Sequence, residues 1–159
     1  MAIPSHLTLE LVTPDRAVVR ESVDEIQIPG SEGYLGVLPG HTPFLTMLQV
    51  GELWFRQGTE TSYVSIAFGF AEILPERVTI LAQIAERAEE IDVARAQEAQ
   101  RRAQNRLDSS TVDIDFERAR ISLMKSLIRL QIASRLRPEY VRVPSDAHAA
   151  SRVARPSVR

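Results

Sequence analysis

Residues 30–51 read Gly-Ser-Glu-Gly-Tyr-Leu-Gly-Val-Leu-Pro-Gly-His-Thr-Pro-Phe-Leu-Thr-Met-Leu-Gln-Val-Gly, and five of the chain's seven glycines lie within them. Gly33 and Gly36 interrupt a short apolar run, as happens where a strand bends or another backbone comes close. Pro39-Gly40 predicts a turn, because proline sets φ at one corner and glycine tolerates positive φ at the next. Phe44, Leu45, Met47, Leu48 and Val50 then restart an apolar segment that ends at Gly51. A stretch this rich in glycine loses much conformational entropy on folding, so a packed scaffold has to hold it.

On either side the sequence alternates with the period of strands. Leu7, Leu9 and Leu11 alternate with Thr8 and Glu10, and Ile26 and Ile28 with Glu25 and Gln27. Val18-Val19 is a further extended segment. Downstream, the strand-like runs are 52–56, 63–66, 68–74 and 78–82, punctuated by Gly58, Gly69 and Pro75. Many short strands separated by turn signals predict a β-sandwich or barrel over residues 1–85.

From Glu86 the composition changes. Glycine disappears, proline is absent until Pro138, and Ala, Glu, Gln and Arg dominate. Asp92 is placed to cap a helix running to about Leu107, with a thin stripe of Ala96, Ala99, Ala103 and Leu107. Asp108-Ser109-Ser110-Thr111 breaks it. A second helix starts near Asp113 and carries Ile121, Met124, Leu127, Ile128 and Ile132 at helical spacing, acidic early and basic late, as the helix dipole favours. The expected fold class is therefore α+β: an N-terminal sandwich, a C-terminal antiparallel two-helix hairpin over residues 86–136, and a basic, disordered tail over 137–159. The hairpin's narrow apolar faces suit a mobile element.

Composition narrows the function. A net charge of −2 argues against a nucleic-acid partner. The absence of cysteine excludes disulfides, thiolate catalysis and cysteine metal sites. No apolar run is long enough to span a bilayer and the N-terminus lacks a secretory signal, so the expectation is a cytosolic protein, or one docked on a membrane complex through other proteins. There is no phosphate-binding Walker loop and no Gly-x-Ser-x-Gly elbow, and His6, His41 and His148 are dispersed. No catalytic constellation emerges.

The 30–51 stretch closely resembles the signature segment of the epsilon subunits of F-type ATP synthases (called delta in mitochondria), roughly GxxGVLPGHxPxLTxLxxG. Gly33, Gly36, Val37, Leu38, Pro39, Gly40, His41, Pro43, Leu45, Thr46, Leu48 and Gly51 carry the match, and the resemblance continues to about residue 136. It implies a non-catalytic central-stalk (rotor) subunit that couples proton flow to ATP synthesis. The sandwich would bind the gamma subunit and the ring of c subunits, with Glu32, Tyr34, Gly36, Pro39 and His41 toward the ring; Tyr34 stands where the family often has an acidic residue. The hairpin would switch between folded and extended states. Extended, it would meet the alpha and beta subunits of the catalytic head and inhibit hydrolysis, using Arg118, Arg120, Lys125, Arg129 and Arg135 against an acidic segment. The implied location is peripheral, on the cytoplasmic side of the cell inner (plasma) membrane and reached only through the complex. No cofactor would be required.

Residues 91–96, Ile-Asp-Val-Ala-Arg-Ala, have two readings. By sequence physics Asp92 caps the helix and Arg95 is solvated. By resemblance the stretch matches the Ile/Leu-Asp-x-x-Arg-Ala motif with which some bacterial epsilon subunits bind regulatory ATP. Glu86 and Asp92 would then accept from the adenine amino group, and Arg95, Arg102 and Arg129 would face phosphates. His41 likewise is either a turn residue satisfied by backbone or part of a subunit-facing loop. The basic residues of the second helix are either ordinary surface charge or the inhibitory stripe. Two functions of other classes compete with the stalk subunit: a freestanding ATP-sensing module, which has no need of the glycine–proline surface, and a small enzyme, which lacks a nucleophile–base pairing.

Overall fold

Alternation of apolar and polar residues builds the first domain. A computed structural model describes residues 2–109 and 113–136, and the predicted tail over 137–159 lies outside the described residues. Eight strands come first: β1 (Leu7–Val12), β2 (Ala17–Val23), β3 (Glu25–Gly30), β4 (Gly33–Val37), β5 (Phe44–Leu48), β6 (Gly51–Gln57), β7 (Glu60–Ile73) and β8 (Arg77–Arg87). Their order in the sheet is β2-β1-β8-β7-β5-β3-β4, with β6 bridging β3 and β7. All pairings are antiparallel except β1 with β8. The inward residues of this folded sheet form the main core, where Leu7, Leu9, Leu11, Ile26, Ile28, Leu53, Phe55, Val64, Ile66, Ile73 and Ile80 are all fully buried. The alternations at 7–11 and 25–28 thus point as the sequence predicts.

The strand architecture departs from expectation in two main places: the strand expected at 78–82 runs on to Arg87, so Glu86 and Arg87 belong to the sheet and not to the start of the hairpin, and two expected strands are joined. Segments 63–66 and 68–74, separate in the sequence reading, are one fourteen-residue strand, β7. Phe68 and Gly69 sit in its middle with φ of 62° and 132°. They kink the strand without ending it, because β8 keeps its register on both sides, Ala67 opposite Ile84 and Gly69 opposite Ala82. On its other edge β7 meets two strands in turn, with Leu48 opposite Gly69 and Gly51 opposite Ile66, so the kink lies at the junction of β5 and β6. A Cβ on Gly69 would lie 2.0 Å from the Leu81 carbonyl oxygen.

A short 3-10 turn, Ala88–Glu90, leads into α1 (Val93–Ser109) and α2 (Asp113–Leu136). The α1 stripe is as narrow as the sequence implies, with Ala96 and Ala103 buried. On α2 the buried residues are Ala119, Ser126, Ile132 and Ala133, whereas Leu127 is 44% exposed and leaves the expected apolar face. Small residues at the contact let the helices approach closely, at the cost of little apolar area per residue. Where α2 reaches the sandwich, Ile132 and Ala133 pack with Ala88 and Ile91, flanked by Tyr63, Val93 and Ile128.

Gly69→Ala places a side chain against backbone and in a conformation that L residues rarely adopt. The expected result is a loss of about 2 kcal/mol or more of stability, seen as a lower urea midpoint at unchanged slope. A wild-type midpoint would mean that β7 relaxes at the kink.

Candidate functional site

Outward-facing residues of β6, β7 and β8 form the floor of the site. Glu52 lies opposite Ser65, and Ser65 opposite Glu86, so two carboxylates and a hydroxyl make one row across three strands. Strands are spaced by about 4.8 Å, which separates the two carboxylate positions by about 10 Å. Arg129 and Arg135 on α2 are six residues apart, a rise of about 9 Å along a helix. The two spacings match, and α2 lies over the row with each arginine on one glutamate. Arg129 Nε and a terminal nitrogen donate to Glu86 at 2.7 and 3.1 Å. Arg135 donates to Glu52 in the same bidentate manner at 3.3 and 3.2 Å.

Between this floor and the hairpin is a cavity of about 320 Å³, lined by β7, β8 and both helices. Its charged residues are Glu86, Arg95, Arg102, Lys125 and Arg129. Four cations against one carboxylate give its wall an excess of positive charge, and its volume lies at the small end of the ~300–1,000 Å³ of small-molecule sites. Ser65, Ser122 and Ser126 add hydroxyls.

Of the five nucleotide-site candidates, Glu86, Arg95, Arg102 and Arg129 converge on this cavity, and Asp92 is not among its lining residues. The Asp92 carboxylate accepts from the Arg95 backbone N–H at 3.0 Å, which is N-cap geometry. Lys125 was assigned by the sequence to the inhibitory stripe alone. It stands four residues before Arg129, hence on the same helical face, and that spacing was the available signal. Of the remaining stripe residues, Arg118 is exposed and Arg120 is held by Glu117 at 2.6 and 2.8 Å.

The proposed ring-facing residues lie at the β3–β4 edge and the turn after it. Glu32, Tyr34 and Gly36 are exposed, Pro39 and His41 half-buried. The Tyr34 hydroxyl accepts from the Glu52 N–H at 3.4 Å. His41 Nδ1 is 2.7 Å from the Thr42 carbonyl oxygen, so the ring is satisfied by backbone within its turn. Sequence reading missed a second surface. Met47, Phe70 and Leu81 lie opposite one another on β5, β7 and β8, each more than half exposed, with Leu45 beside them. A contiguous apolar row open to solvent marks an interaction surface.

The segment that carries the hairpin is fastened to β2 and the turn before it. Arg16 donates to both Glu90 oxygens at 2.8 and 2.5 Å. Arg87 donates to the Val18 carbonyl at 3.0 Å and to Glu21 at 2.5 Å. Among the described residues no three His, Cys, Asp or Glu side chains converge as metal ligands, and no helix is long and apolar enough to cross a membrane.

Comparison with known proteins agrees with this architecture. Residues 6–88 match the family model for the β-sandwich domain of the ATP synthase delta/epsilon chain, and residues 89–134 that for its long α-helix domain. The ATP synthase epsilon chain of Syntrophobacter fumaroxidans is 47% identical over 129 residues, covering 81% of this chain and 96% of that one. The epsilon chain of Koribacter versatilis is 57% identical over 101 residues, 64% of this chain and 71% of its own length. Among solved structures, a chain of the Euglena gracilis mitochondrial ATP synthase (OSCP/F1/c-ring) superposes with a TM-score of 0.72 at 27% identity, covering 86% of this chain and 84% of that one. A chain of the Tetrahymena thermophila central stalk and c-ring shares the fold, with a TM-score of 0.57 at 11% identity over 84% of this chain and 99% of that one. The chain belongs to the delta/epsilon family of ATP synthase chains.

The hydrogen bonds from Arg16 hold the Glu90 carboxyl below its usual range, aided by the Arg87 backbone N–H. A depressed folded value contributes stability that is complete above the unfolded value and lost as pH falls through the folded one. Acid titration of the full chain is therefore expected to destabilise wild type more steeply than Glu90→Gln, in which that group no longer titrates. Identical acid slopes would show that the Arg16 tether carries no stability.

Proposed function

We propose that this chain is the epsilon subunit of an F-type ATP synthase, a non-catalytic part of the central stalk whose hairpin acts as a nucleotide-responsive brake on ATP hydrolysis. The observation that carries the brake is the composition of the cavity wall. Its cations come from α1 and α2 and its floor from β7 and β8, so it exists only when the hairpin is folded onto the sandwich. A ligand that binds one state alone shifts the equilibrium toward that state. At ten times its dissociation constant it stabilises the folded hairpin by about 1.4 kcal/mol.

A nucleotide polyphosphate suits the four cations, and an adenine amino group suits Glu86. Asp92 serves the site by starting α1 and so placing Arg95. The apolar row Met47–Phe70–Leu81 suits the gamma subunit, and the exposed β3–β4 edge with the Pro39–His41 turn suits the ring of c subunits. Released from Glu86 and Glu52, Arg129 and Arg135 would join Arg118, Arg120 and Lys125 as a basic stripe facing the alpha and beta subunits. Such a subunit is peripheral, held through the complex on the cytoplasmic side of the plasma membrane. The exposed apolar row favours it over a freestanding ATP sensor, which would have to keep that surface in water.

Two measurements test the two halves. Hydrolysis by the assembled catalytic head is expected to be faster with a chain ending at Glu90 than with the full chain; equal rates would remove the brake. Calorimetric titration with Mg-free and Mg-bound ATP is expected to saturate, with binding about ten-fold weaker or more for Arg102→Ala and for Lys125→Ala, each of which loses a charge-assisted contact. The absence of binding up to millimolar ATP would leave Asp92 as a cap and the cavity without its ligand.

A further inference from the structure

We infer that Glu52 and Arg135, backed by Tyr63, form a latch that keeps the hairpin folded independently of any ligand; the inference rests on the reading of the hairpin as a folded-or-extended switch. The Glu52 side chain is 6% exposed, and Arg135 is the one cation within ion-pair distance of it among the described residues. The nearby Arg56 is engaged with Glu25 at 3.1 Å and Asp24 at 3.9 Å. The Arg135 guanidinium carbon stands 5.5 Å from the centre of the Tyr63 ring, within cation–π range. These three residues line a separate recess of about 300 Å³ together with Trp54, Arg56 and Thr61, and share no wall with the cationic cavity.

The two anchors of α2 therefore differ in kind. The Glu86–Arg129 pair lies inside the cavity, so a ligand there competes with it. The Glu52–Arg135 pair lies outside and is untouched by ligand. The Arg135 side chain is 46% exposed and covers a nearly buried Glu52, so removing it leaves that carboxylate with only the water that enters, which costs more than losing a fully exposed pair. Water reaches Glu52 once α2 lifts, so that cost falls on the folded hairpin alone. Neutralising Glu52 as well removes the orphaned charge, and the two substitutions are coupled.

The absence of cysteine allows a clean test on the full chain. Nitroxides at Glu60→Cys and Gln131→Cys, both exposed, report the sandwich-to-α2 distance by double electron–electron resonance. Without nucleotide, Arg135→Ala is expected to raise the open-to-folded ratio about ten-fold or more. Glu52→Gln shifts it in the same direction but less, and adding Glu52→Gln to Arg135→Ala brings the ratio back to that of Glu52→Gln, still above wild type. An unchanged ratio in Arg135→Ala, or independent addition of the two effects, overturns the latch. Should Arg135→Ala unfold the chain, Arg135→Lys, which keeps the charge and loses the fork, carries the same comparison with Glu52→Gln. A second arm adds Mg-free ATP to wild type. No ATP response together with a retained Arg135 response removes the nucleotide reading and leaves the latch; an ATP response without an Arg135 response does the reverse.

Discussion

The hairpin's position depends on one row of side chains, Glu52–Ser65–Glu86, that crosses the sheet under α2. The apolar contact in that region is small: two alanines and two isoleucines are buried, with Tyr63, Val93 and Ile128 at the margin. Such a cluster stabilises far less than the sandwich core, whose nineteen buried residues are leucine, isoleucine, valine and phenylalanine apart from Ala71 and Ala82. The carboxylates add directional contacts to that small apolar one. With them, the match between strand spacing and helical rise selects one register of helix on sheet. The ion pairs act here as specificity more than as bulk stability, the role in which partly buried pairs are best supported.

On the proposed reading, that division of labour lets one short chain hold a rigid part and a movable part. The sandwich is closed by hydrogen-bonded strands and a continuous core, so its open state is global unfolding. The hairpin is held by the row and the small cluster, so its open state is a local event of much lower cost. The Arg16–Glu90 and Arg87–Glu21 pairs fasten the 3-10 turn to the sandwich side. On that reading, motion of the hairpin would be concentrated after Glu90, at Ile91 and Asp92, where the chain leaves the turn and α1 is capped. A helix cap at a pivot lets α1 move as a preformed helix, since its first turn stays satisfied by Asp92 in either position.

Much of this was legible from the residues, and what was not has a common cause. Periods of two and of three-to-four located the strands and helices because burial acts on each residue locally. Asp92 read correctly as a cap for the same reason. The joining of 63–66 and 68–74 into one strand was hidden because glycine signals both strand ends and strand kinks, and only the pairing of β7 with β8 decides between them. Leu127 misled because a helix contact made by Ala and Ser leaves large neighbours outside. The partners of Arg129 and Arg135 lie 43 and 83 residues away in sequence, and no local pattern reports them. The Met47–Phe70–Leu81 row joins three strands and becomes visible only with their register.

The cavity's resting state also bears on which anion it accepts. Glu86 and Arg129 satisfy each other there, and both side chains are only about a quarter exposed. A simple anion that captured Arg129 would leave Glu86 half-enclosed without a partner, and that desolvation cost would offset much of the new contact. A ligand with an anionic end for the arginines and an amino donor for the carboxylate avoids the cost, because it replaces both halves of the pair it breaks. On the proposed reading this is what a nucleotide offers and what inorganic phosphate or polyphosphate does not. Selectivity would then arise from a pair the ligand must exchange as well as from the positive charge that attracts it. On the same reading, four cations and one carboxylate would repel a divalent metal carried by the phosphates, so the nucleotide form best matched to the site would be the metal-free one.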